Sequence, residues 1–553
     1  MNRRAQTGGI ACCVTSDPDS ERLTLRTLWV AAAVLFVALR LPYLSVPFER
    51  DEGGYGYIAQ RTLLGELPYR DAFDQKPPLV FVPYMLAFAT LGRTPLDVHL
   101  VLLLWNAGTL LCVAAIARRL GGRVAAAGAA LVFAVASASP RLLGFTANTE
   151  MFMLLPMTAS AWCALRGAAS ARQRSWWFAA GLLAGLACWF KPVAATSGLA
   201  LAVYAVATAR RDGGAAGERR LRALGRCAWL VVGALAATAP IVLYMALHTG
   251  GLQAFFDGVA RYNLAYVQSV SLGEGLTNLA RSLGRQAPAF LPLWALAASA
   301  LALPRSRAAA APVGLWLLAL AAGTAAGLHF REHYFIQVVP ALAVLGGLAM
   351  AALLARVEAQ PVPAAFAFVL LVAAPTVWAD RALLWADSAA AISRAIYDVD
   401  PFPESEQIAR EIASGSAPDE TVLVLGSEPQ ILLYAQRRSA TRFVFAHSLR
   451  LGLAGTPQRQ AIAVQEVRAA RPRFVLVERL PDSVLDAAPV PTPTWVDPEW
   501  EATGEHVLQT LYVWDPQAHA YYEFSRDSAR SLLESGAETL KATAWLALYR
   551  RPD

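Results

Sequence analysis

Long apolar runs separated by short polar turns organise most of this chain. Stretches rich in Ala, Leu and Val, of membrane-spanning length, recur from residue 23 to about residue 380. A bilayer's hydrocarbon core takes roughly 20 residues of perpendicular helix. The pattern predicts eleven spans, at 23–41, 96–118, 124–141, 149–166, 176–190, 193–209, 227–247, 287–303, 311–329, 333–355 and 362–380. A further apolar segment, Leu79 to Gly92, has only 14 residues and contains Pro83. That length suits a re-entrant or juxtamembrane helix better than a crossing.

The pattern changes near residue 396. Thr421-Val-Leu-Val-Leu-Gly426 and Arg473-Phe-Val-Leu-Val-Glu478 read as buried strands, and Glu404 to Ala413 and Val464 to Ala470 as helices. Short β-branched runs alternating with helical pattern predict a layered α/β unit. No G-x-G-x-x-G follows the first strand, so a dinucleotide site has no support. Pro489 to Pro493 reads as a loop. The expected organisation is an N-terminal arm (1–22), a transmembrane domain (23–395) with a first outer loop at 42–95, and an α/β domain (396–553).

Composition agrees with a polytopic α-helical membrane protein. Hydrophobic residues make up 56% of 553 and charged residues 16%, against about 25% charged in soluble domains. The net charge of +7 is unevenly spread. From residue 396 onward there are 15 Lys and Arg against 22 Asp and Glu; the remainder has 33 against 19. The basic excess thus belongs to the membrane half, where it sets orientation, and no nucleic-acid partner is implied. Keeping 79–92 on one side places the Arg-rich loops 118–123, 166–175, 210–226 and 304–310 in the cytoplasm. The N-terminus is then cytoplasmic and the acidic tail extracytoplasmic, with the chain in the inner (plasma) membrane. Residues 23–41 lack a small-x-small cleavage pattern and read as an uncleaved anchor. The six cysteines show no C-x-x-C spacing and no disulfide framework.

Candidate chemistry gathers at the expected outer edges. Asp51 and Glu52 follow the first span by about ten residues. Adjacent carboxylates there suit a general base or a cation ligand; acidic residues in a first helical turn also serve as caps. Lysine use is selective. Of 48 Lys and Arg only Lys76, Lys191 and Lys541 are lysine, and the first two precede proline at outer membrane edges. A compact ammonium binds phosphate as a point charge; the competing role is a lysine snorkelling to the headgroups. Glu150 opens the fourth span behind Asn148, a candidate cap. An ionisable group at that depth is a functional candidate. His329, Arg331, Glu332, His333 and Tyr334 crowd one outer turn, and the His329/His333 spacing of four places both on one helix face. Without an H-E-x-x-H motif, the case for metal there is thin. Arg261, Tyr262 and Asn263 read as surface. There is no Walker A and no G-x-S-x-G sequence.

Taken together, Asp51-Glu52 with Tyr55, Lys76-Pro77, Glu150 and Lys191 resemble, in order and spacing, the GT-C glycosyltransferases. The likeness is to the bacterial relatives of protein O-mannosyltransferases (glycosyltransferase family 39) and of the aminoarabinose transferase that modifies lipid A. It covers most of residues 23–380. Tyr397-Asp-Val-Asp-Pro-Phe-Pro-Glu404 and Gly426-Ser-Glu-Pro-Gln430 look like a subgroup with an extracytoplasmic domain. Where the aminoarabinose transferase pattern has Glu before the first-loop Lys, this chain has Gln75, with Asp74 one residue further back.

The resemblance implies a GT-C-like fold and a polyprenyl-phosphate-linked sugar as donor. A hydroxyl of a protein, lipid or glycan would attack the anomeric carbon with inversion, mannosyltransferase-like, in the cell envelope. Asp51 would be the general base or would orient the acceptor, with Glu52 beside it. Lys76 and Lys191 would bind the lipid phosphate. Glu150 would assist, directly or through a divalent cation, and no other cofactor is implied. Tyr55, Gln75, Arg331, His333 and Tyr334 would line the substrate site. Two alternatives stand beside this reading: a transporter or flippase of a lipid-linked sugar, which calls for intramembrane charges and repeated halves, and a non-catalytic scaffold with an exported tail.

Overall fold

The computed structural model describes residues 18–356, 361–449, 455–480, 506–534 and 543–552. The expected loop at 489–493, Cys12, Cys13 and Lys541 lie outside them. The membrane half is a bundle of α1 (Pro18–Ala38), α2 (Arg50–Leu63), α3 (Phe81–Thr90), α4 (Pro95–Ala136), α5 (Thr149–Gly167), α6 (Gln173–Phe190), α7 (Ala195–Arg211) and α8 (Ala216–Leu247). After α8 come α9 (Gly251–Phe255), a π-helical stretch at Phe256–Tyr262, α10 (Asn263–Val267), α11 (Leu272–Ala302), α12 (Pro304–Thr324), α13 (Val339–Leu354) and α14 (Pro361–Ala379). Seven segments among the described residues are long and apolar enough to span a bilayer. The chain is a multi-pass membrane protein.

The expected spans 96–118 and 124–141 appear as one element, α4, broken at Gly122. Straight, 42 residues would run about 63 Å. Yet both ends of α4 meet the segment just after α1. Near the start, His99 bonds the Leu44 carbonyl. At the far end, Arg40 donates to the Ala134 carbonyl and to Ser137 Oγ. The chain therefore reverses at Gly122, whose φ of 85° and ψ of −166° only glycine adopts readily. Two antiparallel arms result, as the charge of Arg118, Arg119 and Arg123 requires.

Contacts between helix ends extend this alternation. Lys191, after α6, returns to Glu150 at the start of α5. Arg226 in α8 joins Asp212 and Thr208 near the end of α7. Arg305 at the start of α12 reaches the Ala355 carbonyl after α13. Asp380, after α14, meets Ser139 and Arg141 beside the first loop. The first loop, the 137–148 turn, Lys191, the 328–334 turn and the tail therefore share one face. α3, ten residues long behind a 3-10 turn at Pro78–Val80, remains a short helix on that face.

Among the described residues, the tail carries a mixed six-stranded sheet in the order β2-β1-β3-β6-β4-β5. Its strands are β1 (Thr421–Leu425), β2 (Arg438–Ser439), β3 (Phe474–Arg479), β4 (Val507–Asp515), β5 (Ala520–Ser525) and β6 (Trp545–Arg550). β2, β1 and β3 are parallel, and β6, β4 and β5 extend the sheet antiparallel. The expected strands β1 and β3 and the helices at Ser405–Ser414 and Thr456–Ala470 are present. The antiparallel half carried no expectation.

The tail is docked directly on α2. Its helix Pro429–Ala435 lies across the face of α2 formed by Gly53, Gly54 and Gly56. A Cβ on Gly53 would fall 2.6 Å from the Gln430 backbone nitrogen, and one on Gly54 would fall 2.1 Å from the Phe445 ring. Arg50 adds an ionic clasp to Glu428 at 2.7 Å and Asp400 at 2.9 Å, in the two tail motifs noted in the sequence. Phe48 N–H donates to Tyr434 OH, Tyr57 OH accepts from Ser439 N–H, and the Phe73 N–H donates to the Arg442 carbonyl.

Candidate active site

The site is built on the N-terminus of α2. Glu49 caps this helix by accepting the Asp51 N–H at 2.9 Å and the Glu52 N–H at 3.3 Å, while Glu52 accepts the Glu49 N–H in return. This reciprocal box occupies the cap, so Asp51 is spared that task. The two adjacent carboxylates then part. Glu52 is buried and is held by His99 at 2.9 Å and by the Ala147 N–H at 2.6 Å, which ties α2 to α4 and α5. Asp51 turns the other way, with Oδ2 3.5 Å from Lys76 Nζ and accepting the Tyr55 hydroxyl at 3.4 Å. Burial opposes the charge of Asp51, but Lys76, then His333, His447 and Arg331, hold its carboxyl below the usual range. Burial likewise opposes the Lys76 charge, and Asp51, Tyr334, Glu150 and Asp74 outweigh it to push Lys76 up.

The peptide around Lys76 is pinned from three sides. Tyr69 OH donates to the Lys76 carbonyl at 2.8 Å, Asn263 Nδ2 donates to the Gln75 carbonyl at 2.6 Å, and Asp74 Oδ1 accepts the Lys76 N–H at 3.0 Å. Asp74 Oδ2 and Gln75 Oε1 are buried without a hydrogen-bond partner among the described residues. Burial pushes Asp74 up to about 7, against the pull of Lys76 and of the Lys76 and Gln75 N–H groups. Asn263 and the buried Tyr262 are therefore part of the support, which corrects their reading as surface; Arg261 is exposed and pairs with Asp257.

A second carboxylate–lysine pair stands beside the first. Glu150, buried in the first turn of α5, is bonded to Lys191 Nζ, and His333 Nε2 lies 3.5 Å from the same carboxylate oxygen. Asn148 occupies the N-cap position without a side-chain cap bond and donates to Thr146 instead. Lys191 sits in extended backbone between α6 and Pro192, its Nζ 3.6 Å above the Tyr334 ring. With side chains only 18% and 15% exposed, Lys76 and Lys191 are turned into the bundle and do not snorkel. The pairs also act on each other: Glu150 on Lys76, Lys76 on Lys191, and Asp51 on His333. Arg331 lies exposed at the lip, where it acts on Asp51.

One expectation changes on contact with this geometry. His329 and His333 do not share a helix face: Leu328 and Phe330 have positive φ, and a 3-10 turn begins only at Glu332. His329 stacks on Tyr266 at 4.3 Å. Among the described residues, no group of three or more His, Cys, Asp or Glu side chains is arranged to hold a metal ion. Lastly, the tail supplies a residue that the sequence did not single out. His447 faces Asp51, Lys76, Arg50 and Arg331, and burial lowers it to about 4. It is framed by Phe445 and Tyr262, with ring centroids at 5.2 and 6.3 Å. Only the three-dimensional docking of the tail brings it near residue 51.

Comparison with known proteins agrees with this layout. A family model described as dolichyl-phosphate-mannose-protein mannosyltransferase matches residues 75–244, a stretch that contains Gln75, Lys76, Glu150 and Lys191. No curated protein matches the chain by sequence. Among solved structures, ArnT from Cupriavidus metallidurans in the apo state is 17% identical, with a TM-score of 0.57, over 96% of this chain and 98% of that one. ArnT from the same organism bound to undecaprenyl phosphate is 18% identical, with a TM-score of 0.53, over 84% and 94%. The archaeal oligosaccharyltransferase AglB from Archaeoglobus fulgidus, in complex with an inhibitory peptide and a dolichol-phosphate, is 13% identical, with a TM-score of 0.51, over 92% and 75%. The chain has the fold of the GT-C glycosyltransferases, with the ArnT-like arrangement of a helical membrane half and a small mixed-sheet tail.

Proposed function

We propose that this protein transfers a sugar from a polyprenyl-phosphate-linked donor to an acceptor hydroxyl, with inversion, on the extracytoplasmic face of the inner membrane. One observation carries the reading. Two half-buried lysines, each paired with a carboxylate, stand side by side at the outer end of the bundle, where the phosphate of a lipid-anchored donor would lie. Support comes from the family model over residues 75–244 and from the lipid phosphates named in structures of the same fold.

In this scheme Asp51 takes the proton of the acceptor hydroxyl as its oxygen attacks the anomeric carbon. General-base assistance of this kind contributes about 10²–10⁴-fold in rate. The bond from the anomeric carbon to the phosphate oxygen breaks, and its electron pair stays on that oxygen. Lys76 and Lys191 stabilise the charge that develops there. Glu150 and Tyr334 position Lys191, Tyr55 and Gln75 flank Lys76, and Glu52 fixes α2 on the bundle. His333 and Arg331 border the sugar. The donor is a mannose-like hexose carrier, and the acceptor is a hydroxyl of protein, lipid or glycan. The Arg-rich turns on the opposite face support a cytoplasmic position for that face.

The test is mass spectrometry of lipid-linked sugars and envelope glycans in a strain lacking the protein. A polyprenyl-phosphate sugar should accumulate and one glycosylated product should disappear. Unchanged profiles in both pools would refute the reading.

A further inference from the structure

Both lysines assigned to the donor phosphate already have anionic partners in the fold. Lys76 Nζ is 3.5 Å from Asp51 Oδ2, and Lys191 Nζ is bonded to Glu150 Oε1 and capped by the Tyr334 ring. All four charged side chains are largely buried, with exposures of 31% for Asp51 and 18% or less for the others. In so dry a setting, a cation cannot serve two anions at full strength. A phosphate that takes Lys76 therefore competes with Asp51 for its charge.

That exchange has a chemical consequence for the base. Asp51 beside an ammonium holds its electrons tightly and is a poor proton acceptor. Its other neighbours do not replace Lys76: Tyr55 donates a single 3.4 Å hydrogen bond, Arg331 stands at the exposed lip, and burial lowers the facing His333 and His447 to about 4. Glu49, in the same helix cap, is itself pushed well above the usual carboxylate range by burial and by Asp51 and Glu52. Once Lys76 turns to a phosphate, Asp51 loses the largest of the charges that hold it ionised and its affinity for a proton rises.

We propose that Lys76 is shared between Asp51 and the donor phosphate, so that binding the donor is the event that turns Asp51 into an effective base. The inference rests on the donor reading above and adds an order to it: donor first, acceptor deprotonation second. The balance is simple. Lys76 exchanges one oxygen anion for another, no bond is made or broken, and the proton later moves from acceptor oxygen to Asp51 Oδ2.

The experiment measures affinity of the purified full chain for undecaprenyl phosphate, used as a defined probe. Competition predicts that Asp51→Asn tightens binding, by about five-fold or more for a coupling of ordinary size. Lys76→Ala should weaken binding, and adding Asp51→Asn to Lys76→Ala should give no further tightening, because the two effects pass through one ammonium. Glu150→Gln should tighten binding through Lys191 in the same manner. Thermal midpoints of all variants check that the fold is kept. Unchanged or weaker binding in Asp51→Asn overturns the proposal. So does tightening that persists in the Lys76→Ala background, which would mean simple repulsion between Asp51 and phosphate. If undecaprenyl phosphate binds neither the wild type nor any variant, the donor reading itself falls; if it binds the wild type but responds to none of these changes, only the sharing falls.

Discussion

At the scale of single residues, the informative result is that Asp51 and Glu52, neighbours in sequence, do different work. Glu52 completes a helix cap and bonds His99 and Ala147, whereas Asp51 faces Lys76. Asp51→Asn keeps the shape and loses the proton acceptor, so transfer should fall by about 10²–10⁴-fold with the thermal midpoint unchanged. Glu52→Gln should instead lower the midpoint, since a buried ionic and backbone network is broken. Purified variants compared in a thermal scan and a transfer assay separate the two. Asp74 makes a pH prediction. Its folded value is raised to about 7, against about 3.9 for an unfolded Asp. The unfolded chain therefore releases this proton first, and this group's contribution to stability is lost as pH rises from about 4 to about 7. The gap in thermal midpoint between Asp74→Asn and wild type should grow in the variant's favour from pH 5 to pH 8. A constant gap would contradict the assignment. In the sequence, Asp51, Lys76, Glu150 and Lys191 were legible from residue type and place. The division of labour between 51 and 52 was not, because their helix phase relative to Lys76 and His99 is a tertiary property.

At the scale of elements, α2 is held in a vice. Its Gly53, Gly54 and Gly56 admit the tail helix Pro429–Ala435 and the Phe445 ring at distances that leave no room for a side chain. The glycines were visible in the sequence, but with no sign of what they approach. Gly53→Ala would drive a methyl group to 2.6 Å from the Gln430 backbone nitrogen. Overpacking of this kind costs about 1–3 kcal/mol. Thermal unfolding should show that loss, together with faster proteolysis of the tail, while Gly198→Ala, with open space around it, should leave both unchanged. The reversal within α4 is a second element-scale feature. Hydrophobic pattern and the Arg118/Arg119/Arg123 cluster predicted two spans, and the structure supplies the hinge in the conformation of Gly122. Gly122→Ala should destabilise the hairpin, because its φ of 85° is strained for any residue with a Cβ. A detergent-solubilised variant with a wild-type thermal midpoint would speak against that account.

At the scale of the whole molecule, the first loop, the outer turns and the tail close over one end of an alternating bundle. Periodicity and charge gave the alternation, and the resemblance gave the GT-C-like fold. Of the antiparallel half of the tail sheet, β5 is a largely exposed strand with little alternation to mark it. The tail's part in the site, through His447, depends on docking that no local pattern encodes. Orientation has a direct check. A cysteine introduced near residue 121 should react only with reagents that enter the cytoplasm, and a reporter fused at residue 553 should be active only outside it. The reverse of either result would invert the topology and remove Asp51 from the extracytoplasmic face. The central claim, transfer of a lipid-linked sugar with Asp51 as base, is tested most directly by complementing the deletion strain with wild-type protein or with Asp51→Asn at equal membrane abundance, and quantifying the polyprenyl-phosphate sugar and its glycosylated product by mass spectrometry. The account predicts that wild type clears the accumulated donor and restores the product, while Asp51→Asn does neither; restoration of the product to wild-type levels by Asp51→Asn would contradict it.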